Sequence, residues 1–427
     1  MDPQEITKQN HPPKLWKKLL QELENHTGIL GHKIESWEVS RSLYRQASPM
    51  LLTDCAIADL HREWSRMLAD SPVTADEGEP STVEQAAYAR IIRRTEAANR
   101  NNVTRAAAYY EVYRQNPELH WAMLAHMVSR NGGWAMTDLE GEHIPHLLEP
   151  HYRRDIFLFL ERANALIFQD AYPQLLLYAE SKHLGQSLFR LLPRFHVSAF
   201  MQPVWDRFMQ DRDPVPLTVC LIINEQNYIE GRVVRSRHYR KHVLETPAFR
   251  TQFLSQTNQV FFPYQEQRTE SPRSTYRLAG LVLEDFSDLE ERIGFGKKLY
   301  AILFGIPRIR KEVEQFAIKQ PHTGSRADYD NRLFTCNKKA SSPDPYAKKL
   351  EGYGLQDGAS PLYSPVLQEA WEDHPVEAIE RYDWFTEIKG ADAFTSVTVP
   401  RSLDMTAEAC FGLRKLELAV LALQLVR

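Results

Sequence analysis

The stretch from Asn99 to Leu139, NRNNVTRAAAYYEVYRQNPELHWAMLAHMVSRNGGWAMTDL, constrains the fold more than any other part of the chain. It reads as a helical hairpin whose second helix is apolar on almost every face, through Leu119, Trp121, Met123, Leu124, Ala125, Met127 and Val128. A helix of that kind is interior. The same hairpin carries Asn102, Arg105, His120, His126, Ser129, Arg130 and Asn131. Each of these left without a partner in a core would cost about 1 to 3 kcal/mol, so the hairpin predicts either an internal polar network or a site. Asn116 and Pro117 read as N-cap and first-turn residue of the second helix, and Gly132-Gly133 as its end.

The rest of the chain extends this into an all-α reading, a large multi-helix bundle with a minor strand-like run at Phe394 to Pro400, FTSVTVP. Apolar residues recur at three- and four-residue spacing in LWKKLLQELE, DCAIADLHREWSRML, TVEQAAYARIIRRTEAA, HYRRDIFLFLERANALIFQDAY, PQLLLYAESKHLGQSLFRLL and SAFMQPVWDRFMQ. The run PLTVCLIINEQNYIEGRVV starts β-prone, but its length and continued periodicity make it a helix. Ser81 and Glu84 have capping-box spacing. The expected organisation is an N-terminal helical layer over 1–68, a linker over 69–82, a central helical body over 83–335, an irregular linker over 336–365, and a C-terminal helical segment over 366–427 packed on the body. Both linkers concentrate Pro, Gly and charge without an apolar stripe.

With 427 residues, 43% hydrophobic and 25% charged, the composition is that of a globular chain. A net charge of -4 argues against nucleic acid as a partner. Cys55, Cys220, Cys336 and Cys410 stand too far apart for a CxxC motif and read as free thiols of a reducing cytoplasm. No secretory signal precedes the first helix, so the mature chain is expected to start here, and no run reaches the ~18 apolar residues of a membrane span. The expectation is a soluble cytoplasmic protein.

Chemistry-bearing residues cluster in five places. His120 and His126 are separated by about 9 Å of helical rise and cannot share an ion. The His- and Glu-rich loop LEGEHIPHLLEPHYRRD, Leu139 to Asp155, matches no metal-ligand order, so no metal or other cofactor is expected. His126 and Arg130, at i and i+4 with Asn131 beyond, could hold a small anion at a helix end or pair with Glu225 as an internal network. INEQNYIE, Ile223 to Glu230, offers Glu225 and Asn227 after an apolar start, with Glu225 the expected partner of a buried arginine. In QPHTGSRADYDNRLF, Gln320 to Phe334, Ser325 and Asp328 have capping-box spacing and Arg326 stands at the start of an ordinary capped helix. RVVRSRHYRKH, Arg232 to His242, reads as a solvated basic face paired with neighbouring acids. No nucleophile elbow, HExxH or paired-carboxylate pattern accompanies them.

HWAMLAHMVSRNGGWAMTDL (His120 to Leu139), NEQNYIE (Asn224 to Glu230), HTGSRADY (His322 to Tyr329) and DWF (Asp383 to Phe385) resemble the YppC-like family of uncharacterised proteins from Bacillus and related Firmicutes, over roughly Glu84 to Phe385. The chain departs from that pattern where Asp330 and Asn331 follow HTGSRADY in place of an aromatic. The resemblance implies a bacterial cytoplasmic protein and supplies no catalytic residues. Two functional readings stand at this point. One is a binding or interaction protein with an unidentified protein partner. The other is an enzyme or small-anion binder whose site collects Asn102, Arg105, His126, Arg130, Asn131, Glu225, Asn227 and Arg326.

Overall fold

A computed structural model describes residues 33–69, 79–246, 258–265, 276–338, 345–352, 354–376 and 381–426. They are mostly helical. The long helices are α1 (Asp54–Ala69), α2 (Thr82–Ala98), α3 (Asn102–Gln115), α4 (His120–Asp138), α5 (Pro150–Leu184), α6 (Gln202–Asp211), α7 (Pro214–Ile229), α8 (Leu289–Gly305), α9 (Pro307–Lys319) and α10 (Thr406–Val426). An antiparallel hairpin, β1 (Gln259–Tyr264) with β2 (Arg277–Val282), pairs in the register Phe262 to Ala279. The helix LWKKLLQELE, most of the linker expected over 69–82 and part of that over 336–365 fall outside the described residues.

Local chemistry explains most of the helix starts. The Ser81 hydroxyl accepts from the Glu84 backbone while the Glu84 carboxylate accepts from the Ser81 backbone, closing the capping box that the spacing predicts. Asp213 and Asp288 cap α7 and α8 in the same way with their side chains. α4 sits at the middle of the molecule and packs against α3, α5, α7, α8 and β1. Its apolar circumference is satisfied on every side, as the sequence requires, with Trp121, Met127 and Trp134 all buried.

Several expectations are corrected. Asn116 terminates α3 and does not open α4, whose N-cap is Leu119. Gly132 and Gly133 do not end α4. They lie inside it, and the reason is clearance: a β-carbon on Gly133 would stand 2.5 Å from Asn102 Oδ1 and 2.6 Å from His322 Nε2. The two runs divided at Pro173 are one helix of 35 residues, α5, which stops at Gly185 in the left-handed conformation (φ 68°). FTSVTVP forms no strand. Val397 makes a single bridge to Met50, and the longer strands lie in the β1–β2 hairpin instead.

The expected helical return after residue 365 is limited, before α10 and among the described residues, to the short helix Leu367–Ala370 and a 3-10 turn at Ile388–Ala391. Side-chain anchors override periodicity there. The Trp371 ring stacks on Phe157 at 4.2 Å and its indole N–H donates to the Met136 carbonyl at 2.8 Å. The Ser325–Asp328 spacing likewise caps only a single turn, Arg326–Asp328. Asp328 turns back to bond Thr323 rather than extending a helix. Gly324, with φ 87°, makes that reversal possible. No helix among the described residues is long and apolar enough to cross a membrane.

Candidate functional site: a polar network and an apolar cavity

α4 has two working faces. Trp121, Leu124, Ala125, Val128, Ser129, Gly132 and Ala135 recur at helical spacing and line a cavity of about 190 Å³. Arg130 follows Ser129 by one residue, so it points roughly 100° away, toward α9 and the 320–329 loop.

On that second face runs a chain of polar groups, in which Arg130 Nε and Nη2 are left without a hydrogen-bond partner. Asn102 donates its amide to the Ser129 carbonyl at 2.8 Å and to the Ser129 hydroxyl at 3.1 Å, and its Oδ1 accepts from His322 Nε2 at 2.9 Å. His322 Nδ1 lies 3.3 Å from Asp328 Oδ2, and burial, against the pull of Asp328, lowers the ring below the usual imidazole range. Asp328 accepts from the Thr323 hydroxyl at 2.6 Å and stands 3.7 Å from Arg130 Nη2. Arg130 donates to the Gln320 carbonyl at 2.7 Å and lies over the Phe316 ring at 4.4 Å. Burial brings the guanidinium down to about 10, against Asp328, and it stays charged at neutral pH. The arrangement superficially joins a serine to a histidine and an aspartate. The Asn102 amide interposed between Ser129 and His322 is a poor base and cannot relay a proton, so this is no acyl-transfer triad.

The other expected site residues disperse. Arg105 is bidentate to Glu161 and donates to Asn99 Oδ1 at 2.6 Å. His126 Nδ1 meets the Ala106 carbonyl at 2.8 Å, and burial, with Arg130 nearby, holds its ring down to about 3. Asn131 sutures α4 to β1, accepting from the Phe261 N–H at 3.0 Å and donating to the Phe261 carbonyl at 2.9 Å. Asn227 turns back onto its own helix, donating to the Ile223 carbonyl. Arg326 grips both oxygens of Asp138 and donates to the Tyr329 hydroxyl at 2.8 Å.

The expected Arg130–Glu225 pair does not form. The two side chains leave the core through different faces, and only Asn131 and Glu225 of the eight residues line the cavity. Sequence reasoning did not assign Glu161 or Asp138 as the arginine partners. Glu161, a lone acid in the apolar run FLFLERANALIF, carried the signal.

Elsewhere, Arg232 is sandwiched between Tyr228 and Tyr382 at 3.9 and 4.1 Å, while Arg235 and Arg240 pair with Glu230 and Glu245, as expected of a basic face with acidic neighbours. In the His- and Glu-rich loop, Glu142 binds Lys349 and the Tyr363 N–H, and His143 meets the Tyr346 hydroxyl at 3.2 Å, so the loop anchors the later segment. Among the described residues no group of three or more potential ligands is placed to hold a metal ion.

A family model described as "Protein of unknown function (DUF2515)" matches residues 97–409. The chain belongs to that family. It is also 41% identical over 244 residues to the uncharacterized protein YppC of Bacillus subtilis (strain 168), a match covering 57% of this chain and 73% of the relative. No solved structure matches the chain. The resemblance drawn from the sequence over Glu84 to Phe385 agrees with both findings. The DUF2515 match contains the polar network and every residue of the cavity wall, from Tyr109 to Leu299.

The cavity of this DUF2515 protein is walled by α3, α4, α5, α7, α8 and β1, with Phe159, Leu160, Ile167, Ile229, Val260, Phe286, Phe295 and Leu299 supplying much of the surface. Among the described residues Glu225 is the one carboxyl on this wall. Burial pushes it up to about 8, the Gln226 and Trp121 hydrogen-bonding groups pulling the other way, so it is largely protonated at neutral pH. Behind it Asp170, also buried, is pushed up to about 7 although Asn224 and Gln174 donate to it at 2.6 and 3.1 Å. Tyr109 also lines the cavity, and its phenolic oxygen has no hydrogen-bond partner. Arg292, the one guanidinium on the wall among the described residues, is occupied by Gln226 Oε1, the Phe286 carbonyl and Glu230.

Proposed function

We propose that this protein is a binding protein that holds a small, predominantly apolar molecule in the cavity between α4, α5, α7, α8 and the β1–β2 hairpin. The observation that carries the reading is the cavity itself, about 190 Å³ of mostly apolar-walled space with the Glu225 carboxyl on its wall. Protein interiors are close-packed, so a space of this size between helices is one that an apolar occupant can fill with good contacts, and apolar cavities of about 150 Å³ already admit a benzene-sized molecule. Against the small-anion reading, Arg105, Arg130 and Arg326 each have an acid beside them, in Glu161, Asp328 and Asp138. Thiols at Cys55 and Cys336, both exposed and free, favour a cytoplasmic setting.

The reading is tested by thermal unfolding with propylbenzene as probe. The parent protein is expected to be stabilised in a concentration-dependent way. Ala163→Phe, which fills the cavity from α5, is expected to lose that response while keeping its helical circular dichroism. A parent protein indifferent to propylbenzene, or a filled variant that responds as the parent does, would refute the reading.

A further inference from the structure

We infer that the cavity takes a compact apolar amine, bound as its cation with Glu225 as counter-ion; this inference rests on the cavity reading above. The geometry sets the sign of the charge the site can accept. Among the described residues the one positively charged side chain on the wall, Arg292, already has its donors committed to Gln226, Glu230 and the Phe286 carbonyl. Among the described residues no lysine or arginine pairs with Glu225, and the carboxyl of Asp170 on α5 is close enough to disfavour its charged form. An anionic occupant would find no uncommitted cation among the described residues of the wall. A cationic head would supply the partner Glu225 lacks.

The remaining wall groups fit the same head. The Tyr109 hydroxyl, on a side chain only 3% exposed, has no partner and lines the same cavity as Glu225, so it offers a bound ammonium a second oxygen acceptor. Trp121, Phe159, Phe286 and Phe295 add ring surface, and ring faces attract cations while also burying an apolar body. Because the carboxyl is pushed up to about 8 in the empty cavity, pairing with an ammonium converts it to the carboxylate. Neutral Glu225 plus the ammonium gives the carboxylate–ammonium pair plus one proton released to solvent. A neutral ligand would accept a hydrogen bond from the protonated carboxyl and release none.

The experiment compares phenethylamine, 2-phenylethanol and propylbenzene by isothermal titration at pH 6.5, in buffers of different ionisation enthalpy, on the parent protein and on Glu225→Gln. Phenethylamine is expected to bind the parent at least about tenfold more tightly than 2-phenylethanol, the margin of a charge-assisted bond, and to release about one proton per molecule bound. Glu225→Gln, an isosteric change at a neutral group, is expected to lose that advantage while still binding propylbenzene. Equal affinity for amine and alcohol, amine binding without proton release, or amine affinity unchanged in Glu225→Gln would overturn the inference and leave the cavity reading standing. If none of the three binds the parent, both fall. The proton count is measured on the parent protein alone and does not depend on the variant folding.

Discussion

At the scale of single residues, Gly133 shows how the polar network is built. The Asn102–His322 hydrogen bond lies directly on the α4 backbone at this position, where a β-carbon would come within 2.5 Å of one partner and 2.6 Å of the other. Gly132 differs: its nearest neighbours would be the Asn102 and Asn164 amides at 3.4 Å. Alanine is the better helix former by about 1 kcal/mol at either place. We therefore expect Gly132→Ala to leave stability unchanged or raise it by up to about 1 kcal/mol, and Gly133→Ala to lower it by about 2 kcal/mol through overpacking and a broken buried bond. Urea unfolding of the two variants checks the contrast, and equal midpoints would contradict it. The sequence made these glycines look like a stop because a glycine pair serves chain reversal and close approach equally well. Only the third body, the His322 loop arriving from far along the chain, distinguishes the two.

Among elements, the hairpin of α3 and α4 and the run of α7 were legible because their apolar residues repeat with one period from end to end. What was not legible depended on partners distant in sequence. Pro173 sits within α5, and Trp371 holds its segment in place by a ring stack and an indole bond that local pattern does not encode. The candidate site divided in the same way. The polar residues of α4 were visible, whereas the cavity is a space left between six elements and has no motif of its own. Asn131 ties that space together, since its amide substitutes for a neighbouring strand at Phe261 while Gln259 and Val260 of the same strand form the cavity wall. Asn131→Leu strands both backbone groups of Phe261, and a loss of about 2 to 4 kcal/mol is expected. Hydrogen exchange should accelerate first in 258–265. Protection there equal to that of the parent would show that β1 is held by other contacts.

For the molecule as a whole, buried titratable groups set the pH range of stability. His120, His126 and His143 are each brought down to about 3, in every case chiefly by burial. The unfolded chain takes up protons that these folded rings refuse, so their contribution is complete above about 6.5 and is lost as pH falls toward 3. Glu225 and Asp170 act oppositely. Their folded values of about 8 and about 7 lie above the unfolded ones, so their contribution is present at low pH and is lost as pH rises through 7 to 8. Between about pH 5 and 6.5 three rings outweigh two acids, and above about 6.5 only the acids act, which puts the expected maximum near pH 6 to 6.5. In Glu225→Gln the alkaline decline should be shallower by about 1.4 kcal/mol per pH unit up to the folded value. Urea unfolding from pH 5 to 8.5 tests this, and parallel profiles for the two proteins would exclude Glu225 as a source. The four thiols have a separate consequence. Cys55 and Cys336 are exposed, Cys410 on α10 is half-covered and Cys220 on α7 is buried. An alkylating reagent therefore meets a graded series. The outer pair is consumed on contact, and the innermost waits for the centre of the protein to open, so the unmodified chain carries its own clock for the rate at which its core breathes.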